Sequence, residues 1–212
     1  AKNAAARPSA FALRDGARRL TWSELVHWVD VMSADLAAQG LRANDRVSLW
    51  ASNRIESVVM YLACSRNGYA CNPSLHRTYT VDEISGLLDR LSTKAILVEE
   101  GWGADVSRHD PFEALRSLPA MRKVYRVPAA REPGPEFPTT KDADVELPAS
   151  DENPDKVCYL AFTSGTTGTP KCVMHSDNPL LANARDMVRD WKHDETSRLL
   201  SLSPLSHHIA WV

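Results

Sequence analysis

The sequence has no Cys-x-x-Cys pair, no apolar run longer than Val58 to Cys64, and no excess of either charge. Each absence removes a class of function. A bilayer-spanning helix needs about 20 consecutive apolar residues, so no membrane span is expected. Cys64, Cys71, Cys158 and Cys172 sit in apolar or strand-like surroundings. Reduced, half-buried thiols are therefore expected rather than disulfides or a zinc site. Twenty-five Lys and Arg against twenty-seven Asp and Glu give a formal charge of -2. That balance exerts no broad pull toward nucleic acid or anionic lipid, so any phosphate binding has to be local. The opening residues lack the apolar stretch of a secretory signal, from which a soluble, cytoplasmic protein is expected.

What the 212 residues do contain is enough apolar content, 43%, to bury a core. Phe11-Ala12-Leu13-Arg14 and Arg18-Arg19-Leu20 read as a hairpin, with Asp15-Gly16 supplying its tight turn. Thr21 and Glu24 have capping-box spacing and open a helix that Gly40 stops. From Arg46 the pattern alternates. Arg46 to Trp50 reads as a strand, Arg54 to Asn67 as a helix closed by Gly68, and Tyr69 to Asn72 as a second strand. Thr80 and Glu83 form a second capping box for a helix to about Leu91, Lys94 to Val98 is a compact strand, and Val124 to Val127 another. Strands separated by amphipathic helices imply an α/β fold, a mostly parallel sheet with helices on both faces, preceded by a β-hairpin.

Between Pro128 and Pro154 prolines and charges replace large apolar residues. The expected organisation is a first α/β subdomain over 1–128, a Pro-rich connector over 129–154, and the start of a second α/β subdomain over 155–212. The last unit opens with an apolar strand, Val157 to Phe162. It continues with a helix opened by Asn178-Pro179 and a strand from Arg198 to Leu202.

The strand from Val157 runs into Thr163-Ser164-Gly165-Thr166-Thr167-Gly168-Thr169-Pro170-Lys171. Two glycines let backbone amides converge, hydroxyls add small donors, and Lys171 brings a positive charge to the exit, a set suited to polyphosphate. A Walker loop does not fit. Only Thr166 and Thr167 separate the glycines, Pro170 removes the amide beside the lysine, and Cys172 stands where a magnesium-binding hydroxyl is needed. A nucleotide hydrolase of that type is disfavoured, and the competing reading is a Gly/Thr-rich hairpin without a ligand.

All nine positions resemble the signature loop of the adenylate-forming superfamily, which includes acyl- and aryl-CoA synthetases, luciferases and peptide-synthetase adenylation domains. The likeness extends from about Phe11 onward, through Leu20 to Leu25, Asn44 to Val47 and Asn53 to Pro73, to Pro204-Leu205-Ser206-His207. It implies the large N-terminal domain of such an enzyme, cut short. It further implies that Thr163, Ser164, Gly165, Thr166, Thr167, Gly168 and Lys171 hold the β- and γ-phosphates of ATP. Thr163 would touch Mg2+, and His207 would be the catalytic residue beside the reacting carboxylate. Thr169 is expected to face solvent and Trp211 to pack. His27, His76, His109, His175 and His193 are assigned surface or packing roles.

The reaction implied is ATP-dependent ligation of a carboxylic acid to CoA through an acyl-adenylate. The stretches 62–68 and 72–76 look more like CoA ligases than peptide-synthetase domains. A non-catalytic nucleotide-binding module, or an adenylation domain with another acceptor, stays open. The expected partners are a small carboxylic acid, ATP and CoA, with a homodimer left open and no nucleic acid. The family's adenine segment, magnesium glutamate, ribose aspartate, hinge and C-terminal lysine have no counterpart in the chain, so alone it is expected not to adenylate.

Overall fold

The computed structural model describes residues 2–132, 134–139, 146–163 and 170–211. A short helix, α1 (Lys2–Ala6), precedes the hairpin of β1 (Phe11–Asp15) and β2 (Arg18–Thr21), which pair antiparallel around Gly16 at φ 59°. Positive φ at that turn is why a glycine stands there. Helix α2 (Trp22–Ala38) opens on the expected capping box: Thr21 Oγ1 accepts from the Glu24 amide while Glu24 accepts from the Thr21 amide at 2.8 Å. The second box does the same for α4 (Val81–Leu91), through Thr80 and Glu83.

Strand β3 (Arg46–Trp50), helix α3 (Ile55–Asn67), strand β4 (Ala70–Asn72), α4, and strand β5 (Ala95–Glu99) follow the expected alternation. Gly68 ends α3 at φ 73°, in the left-handed region. A helix absent from the sequence reading, α5 (Pro111–Arg116), then leads to β6 (Lys123–Val127). Its signals were local: Asp110 caps the Phe112 amide at 2.8 Å and Pro111 occupies the first turn. The chain ends in β7 (Val157–Thr163), β8 (Lys171–Ser176), α6 (Asp177–Asp190) and a 3-10 turn at His208–Ala210.

One six-stranded sheet, in the order β6-β5-β3-β4-β7-β8, is parallel except for the final antiparallel pair of β7 with β8. Alternate residues of its strands face opposite sides, as the pleat requires. Val47, Leu49, Ala95, Leu97 and Tyr125 pack with residues of α2 and α3, while Trp50, Ile96, Val98 and Val124 pack with residues of α4 and α5. Both faces are thus covered. Because β7 hydrogen-bonds to β4, with Cys71 opposite Tyr159, this sheet runs across the boundary expected at 129–154.

The connector is docked rather than loose where described. Phe137 is 1% exposed and sets its ring edge-on to Trp28 and Tyr125, each at 6.0 Å. Trp28 Nε1 donates to the Pro138 carbonyl at 2.6 Å. Arg54, its side chain fully buried, donates to the carbonyls of Pro128 and Glu132 at 2.8 Å each.

The strand expected over Arg198 to Leu202 is a correction: the segment has no ladder bonds and is irregular. An apolar run becomes a strand only beside a partner edge, and none is paired with it among the described residues. Leu199, Leu200 and Leu202 are 73%, 84% and 85% exposed. All four cysteines are free. Burial, reinforced by Asp177, pushes the Cys158 thiol up to about 12, and burial also raises Cys71 well above the ordinary thiol value. Neither is a thiolate at neutral pH, which removes them as nucleophiles. Among the described residues no helix is long and apolar enough to cross a membrane.

Candidate functional site

The sheet order reverses between β3 and β4. From β4 the chain returns past β3 to add β5 and β6, then crosses back to place β7 beside β4. In open α/β sheets the crevice outside the carboxyl ends of the strands at such a reversal is where ligands bind. Here Ser52 and Asn53 leave β3 at that edge, Ser74 and His76 leave β4, and Thr163 ends β7, which runs parallel to β4.

The end of β7 is fixed by a buried polar chain. Ser74 Oγ donates to Asn72 Oδ1 at 2.9 Å and accepts from the Phe162 amide at 2.7 Å, and Asn72 Nδ2 donates to Ser48 Oγ at 3.2 Å. Satisfied on both sides, these groups give β3, β4 and β7 one register instead of a purely apolar and slippable contact. Thr163 then faces Lys171 across the β7–β8 pair, one residue beyond Phe162 opposite Cys172. Both Thr163 and Lys171 are exposed. Ser164, Gly165, Thr166, Thr167, Gly168 and Thr169 lie outside the described residues. Thr163 just before them and Lys171 two residues after them stand opposite one another at the carboxyl end of a parallel strand. On the exit side, Arg90 donates to the Pro170 carbonyl at 2.7 Å and lies 5.4 Å from the centre of the Phe162 ring.

His207 is exposed, its amide closing a turn onto the Pro204 carbonyl at 2.9 Å. Its ring lies 4.4 Å, centre to centre, from that of His76, at 44°. His76 Nδ1 sits 3.1 Å from Ser206 Oγ, and Trp50 Nε1 donates to the His76 carbonyl at 3.1 Å. Burial, and after it the neighbouring His207, lowers the His76 pKa, so His76 is neutral at physiological pH. By sequence alone His76 is one of the scattered histidines. Nothing local in the sequence joins two residues so far apart.

His208 turns the other way, into an aromatic cluster. It stacks on His175 at 4.5 Å and 16°, both beside Tyr159. Burial and then His175 lower its pKa. Trp211 packs 4.3 Å from the Tyr61 ring and donates from Nε1 to the Leu205 carbonyl at 2.5 Å. Among the described residues no three His, Cys, Asp or Glu side chains converge as a metal cluster. The exposed Thr163 hydroxyl is a hard oxygen donor of the kind Mg2+ accepts alongside phosphate oxygens and water.

A family model described as AMP-binding enzyme matches residues 1–212. The 3-[(3aS,4S,7aS)-7a-methyl-1,5-dioxo-octahydro-1H-inden-4-yl]propanoyl:CoA ligase of Mycobacterium tuberculosis is 31% identical over 199 residues, covering 92% of this chain and 39% of the relative. A feruloyl-CoA synthase of an Amycolatopsis species is 30% identical over 205 residues, covering 96% and 38%. The chain therefore spans about two fifths of the length of these relatives. Among solved structures, ATP-bound MatB from Rhodopseudomonas palustris superposes with a TM-score of 0.79 at 25% identity, over 95% of this chain and 38% of that one. The o-succinylbenzoate CoA synthetase of Bacillus subtilis, in complex with an acyl-adenylate intermediate, superposes at 0.71 with 21% identity, covering 97% and 49%. That likeness speaks to the fold alone.

Proposed function

The chain belongs to the AMP-binding enzyme family, and from that premise we propose that it is the nucleotide-gripping part of a carboxylic acid–CoA ligase. The observation that carries the reading is the pairing of Thr163 with Lys171, on either side of the hydroxyl-rich segment in sequence, at the carboxyl edge of the sheet.

In the proposed reaction the acid's carboxylate oxygen attacks the α-phosphorus of ATP. The bond from that phosphorus to the pyrophosphate oxygen breaks, leaving acyl-adenylate and pyrophosphate. Thr163, Ser164, Gly165, Thr166, Thr167 and Gly168 present hydroxyl and amide donors to the β- and γ-phosphates, and the Lys171 ammonium offsets the charge that grows on the leaving pyrophosphate. Donors fixed in advance stabilise that charge without having to reorganise as it forms. A magnesium ion held by phosphate oxygens, water and the Thr163 hydroxyl would supply further charge neutralisation. His207 sits beside the carboxylate and orients it. The CoA thiol then attacks the acyl carbonyl and AMP departs. By itself the 212-residue chain binds ATP but does not complete catalysis.

The test begins with calorimetric titration of the chain with ATP and Mg2+. Lys171→Ala is expected to weaken binding about tenfold or more, the loss of one charge-assisted contact. Failure of the unaltered chain to bind would remove the reading. A panel of acids with the whole gene product, scoring pyrophosphate release with and without CoA, then separates a CoA ligase from an adenylation domain with another acceptor and from a module that only binds.

A further inference from the structure

The segment that carries His207 has no strand to hold it. The preceding residues are irregular and exposed, yet Ser206 is 5% exposed and the backbone from Ser203 to Leu205 is anchored. One side-chain amide makes two of the anchoring contacts. Asn53 Nδ2 donates to the Ser203 carbonyl at 2.8 Å, and Asn53 Oδ1 accepts from the Leu205 amide at 2.7 Å. A neighbouring β-strand would offer the same pair of contacts, one donor and one acceptor to alternate backbone groups. Here a primary amide supplies both, across 150 and 152 positions of sequence.

An amide can position a segment only if it is itself fixed, and Asn53 is held on both flanks. Before it, the Ser52 amide and hydroxyl donate to Glu99 Oε2 at 2.8 and 2.6 Å. After it, Arg54 is buried between Glu56 at 2.9 Å and Glu99 at 3.5 Å. The Asn53 carbonyl accepts from Arg131. On the far side of the segment, Ser206 meets His76 and the Leu205 carbonyl accepts from Trp211. The clamp therefore reaches from a buried ion-pair network at the end of β3 to a ring in the crevice.

We infer that Asn53 is the positioning residue for His207, holding the Ser203–Leu205 backbone so that the His207 ring meets His76. For its functional meaning the inference rests on the proposed role of His207. Asn53 touches no reacting atom. It acts through the three residues that follow Leu202.

The experiment is a histidine NMR titration of the 212-residue chain combined with amide hydrogen exchange. With Asn53 present, His207→Gln is expected to raise the titration midpoint of His76, because the neighbouring ring that opposes its protonation is removed. In an Asn53→Ala background the same His207→Gln change is expected to leave His76 unmoved. The Leu205 amide exchanges at least tenfold faster in Asn53→Ala, while amides of α3 and β3 keep their protection. A coupling that persists in Asn53→Ala, or an unchanged Leu205 amide, overturns the inference. Should Asn53→Ala not fold, Asn53→Asp keeps the acceptor for Leu205 and loses the donor to Ser203. It is expected to weaken the coupling, and an undiminished coupling is equally fatal.

Acid-dependent pyrophosphate exchange by the whole gene product separates this inference from the functional reading. Asn53→Ala and His207→Ala are both expected to lower kcat with the KM for ATP little changed. Full activity in His207→Ala, with coupling lost in Asn53→Ala, would sink the role of His207 and leave the clamp standing.

Discussion

Arg90 Nη2 donates to the carbonyl of Pro170 at 2.7 Å, which ties the last turn of α4 to the residue just before Lys171. An exposed arginine is usually worth little to stability, but this one fixes the backbone at the exit of the proposed phosphate loop. Arg90→Ala is expected to leave the urea midpoint almost unchanged. Affinity for ATP with Mg2+ falls roughly threefold to tenfold, the scale of one hydrogen bond. Arg90→Lys recovers part of it. Calorimetry beside denaturant unfolding checks the split, and equal losses in both would mean the contact is only structural.

The second prediction concerns the buried acid at the start of α3. Glu56, its side chain fully buried, receives Arg18 at 2.5 Å and Arg54 at 2.9 Å. Burial alone would raise its pKa, but the hydrogen bonds from Arg18 and Arg54 outweigh that and hold the carboxylate below its ordinary value. A folded pKa below the unfolded one, about 4.3, stabilises the fold above that pH and loses the stabilisation as pH falls through the folded value. Glu56→Gln should flatten this acid limb of the stability curve. Glu56→Ala takes one carboxylate from Arg54 and Arg18 but leaves them Glu99 and Asp15, and should cost about 1–3 kcal/mol at neutral pH, the scale of losing a buried hydrogen-bond partner. Urea unfolding across the acid range measures both, and an acid limb unchanged in Glu56→Gln would contradict the assignment.

How much of this was legible in the sequence depends on how far apart the interacting residues stand. The capping boxes at Thr21 and Thr80, the turn at Gly16 and the stop at Gly68 are local, and the structure has them where the sequence puts them. The parallel sheet followed from strand and helix alternation. The start of helix α5 is also local, written in Asp110-Pro111, but its apolar stripe is too short to announce a helix. Arg198 to Leu202 has the composition of a strand, but pairing is a property of two segments and one cannot announce it. The meeting of His76 with Ser206 spans 130 positions, and the Asn53 clamp still more. No spacing rule reaches that far, so the crevice became visible only once the strand order was known.

Phe137 supplies the third prediction, because it contradicts the composition around it. In a stretch of prolines and charges this ring is buried against Trp28 and Tyr125, and Trp28 bonds the next residue's carbonyl. Phe137→Ala is expected to cost about 3–5 kcal/mol, the range for emptying a buried aromatic site. The emission of Trp28 should shift to the red as its ring meets water, and protease cleavage within 129–154 should accelerate. A substitution without effect on the unfolding midpoint would show that the connector does not depend on this anchor.

The final prediction follows from the surface around the segment that fails to form a strand. Leu199, Leu200 and Leu202 are each more than two thirds exposed, and Met174 on the edge strand β8 is 67% exposed. Exposed apolar side chains, like the edge of a sheet, favour association with another apolar surface or edge. The purified chain is therefore expected to self-associate as its concentration rises. Leu200→Lys with Leu202→Lys should shift it toward monomer without lowering the unfolding midpoint, since neither side chain is buried in the folded chain. If the edge of β8 were the main contact, charges at 200 and 202 would leave the distribution unchanged and a lysine at Met174 would change it. Sedimentation velocity over a concentration series distinguishes the two, and a single monomeric boundary for the unaltered chain at every concentration would show that the exposed leucines draw no partner at all.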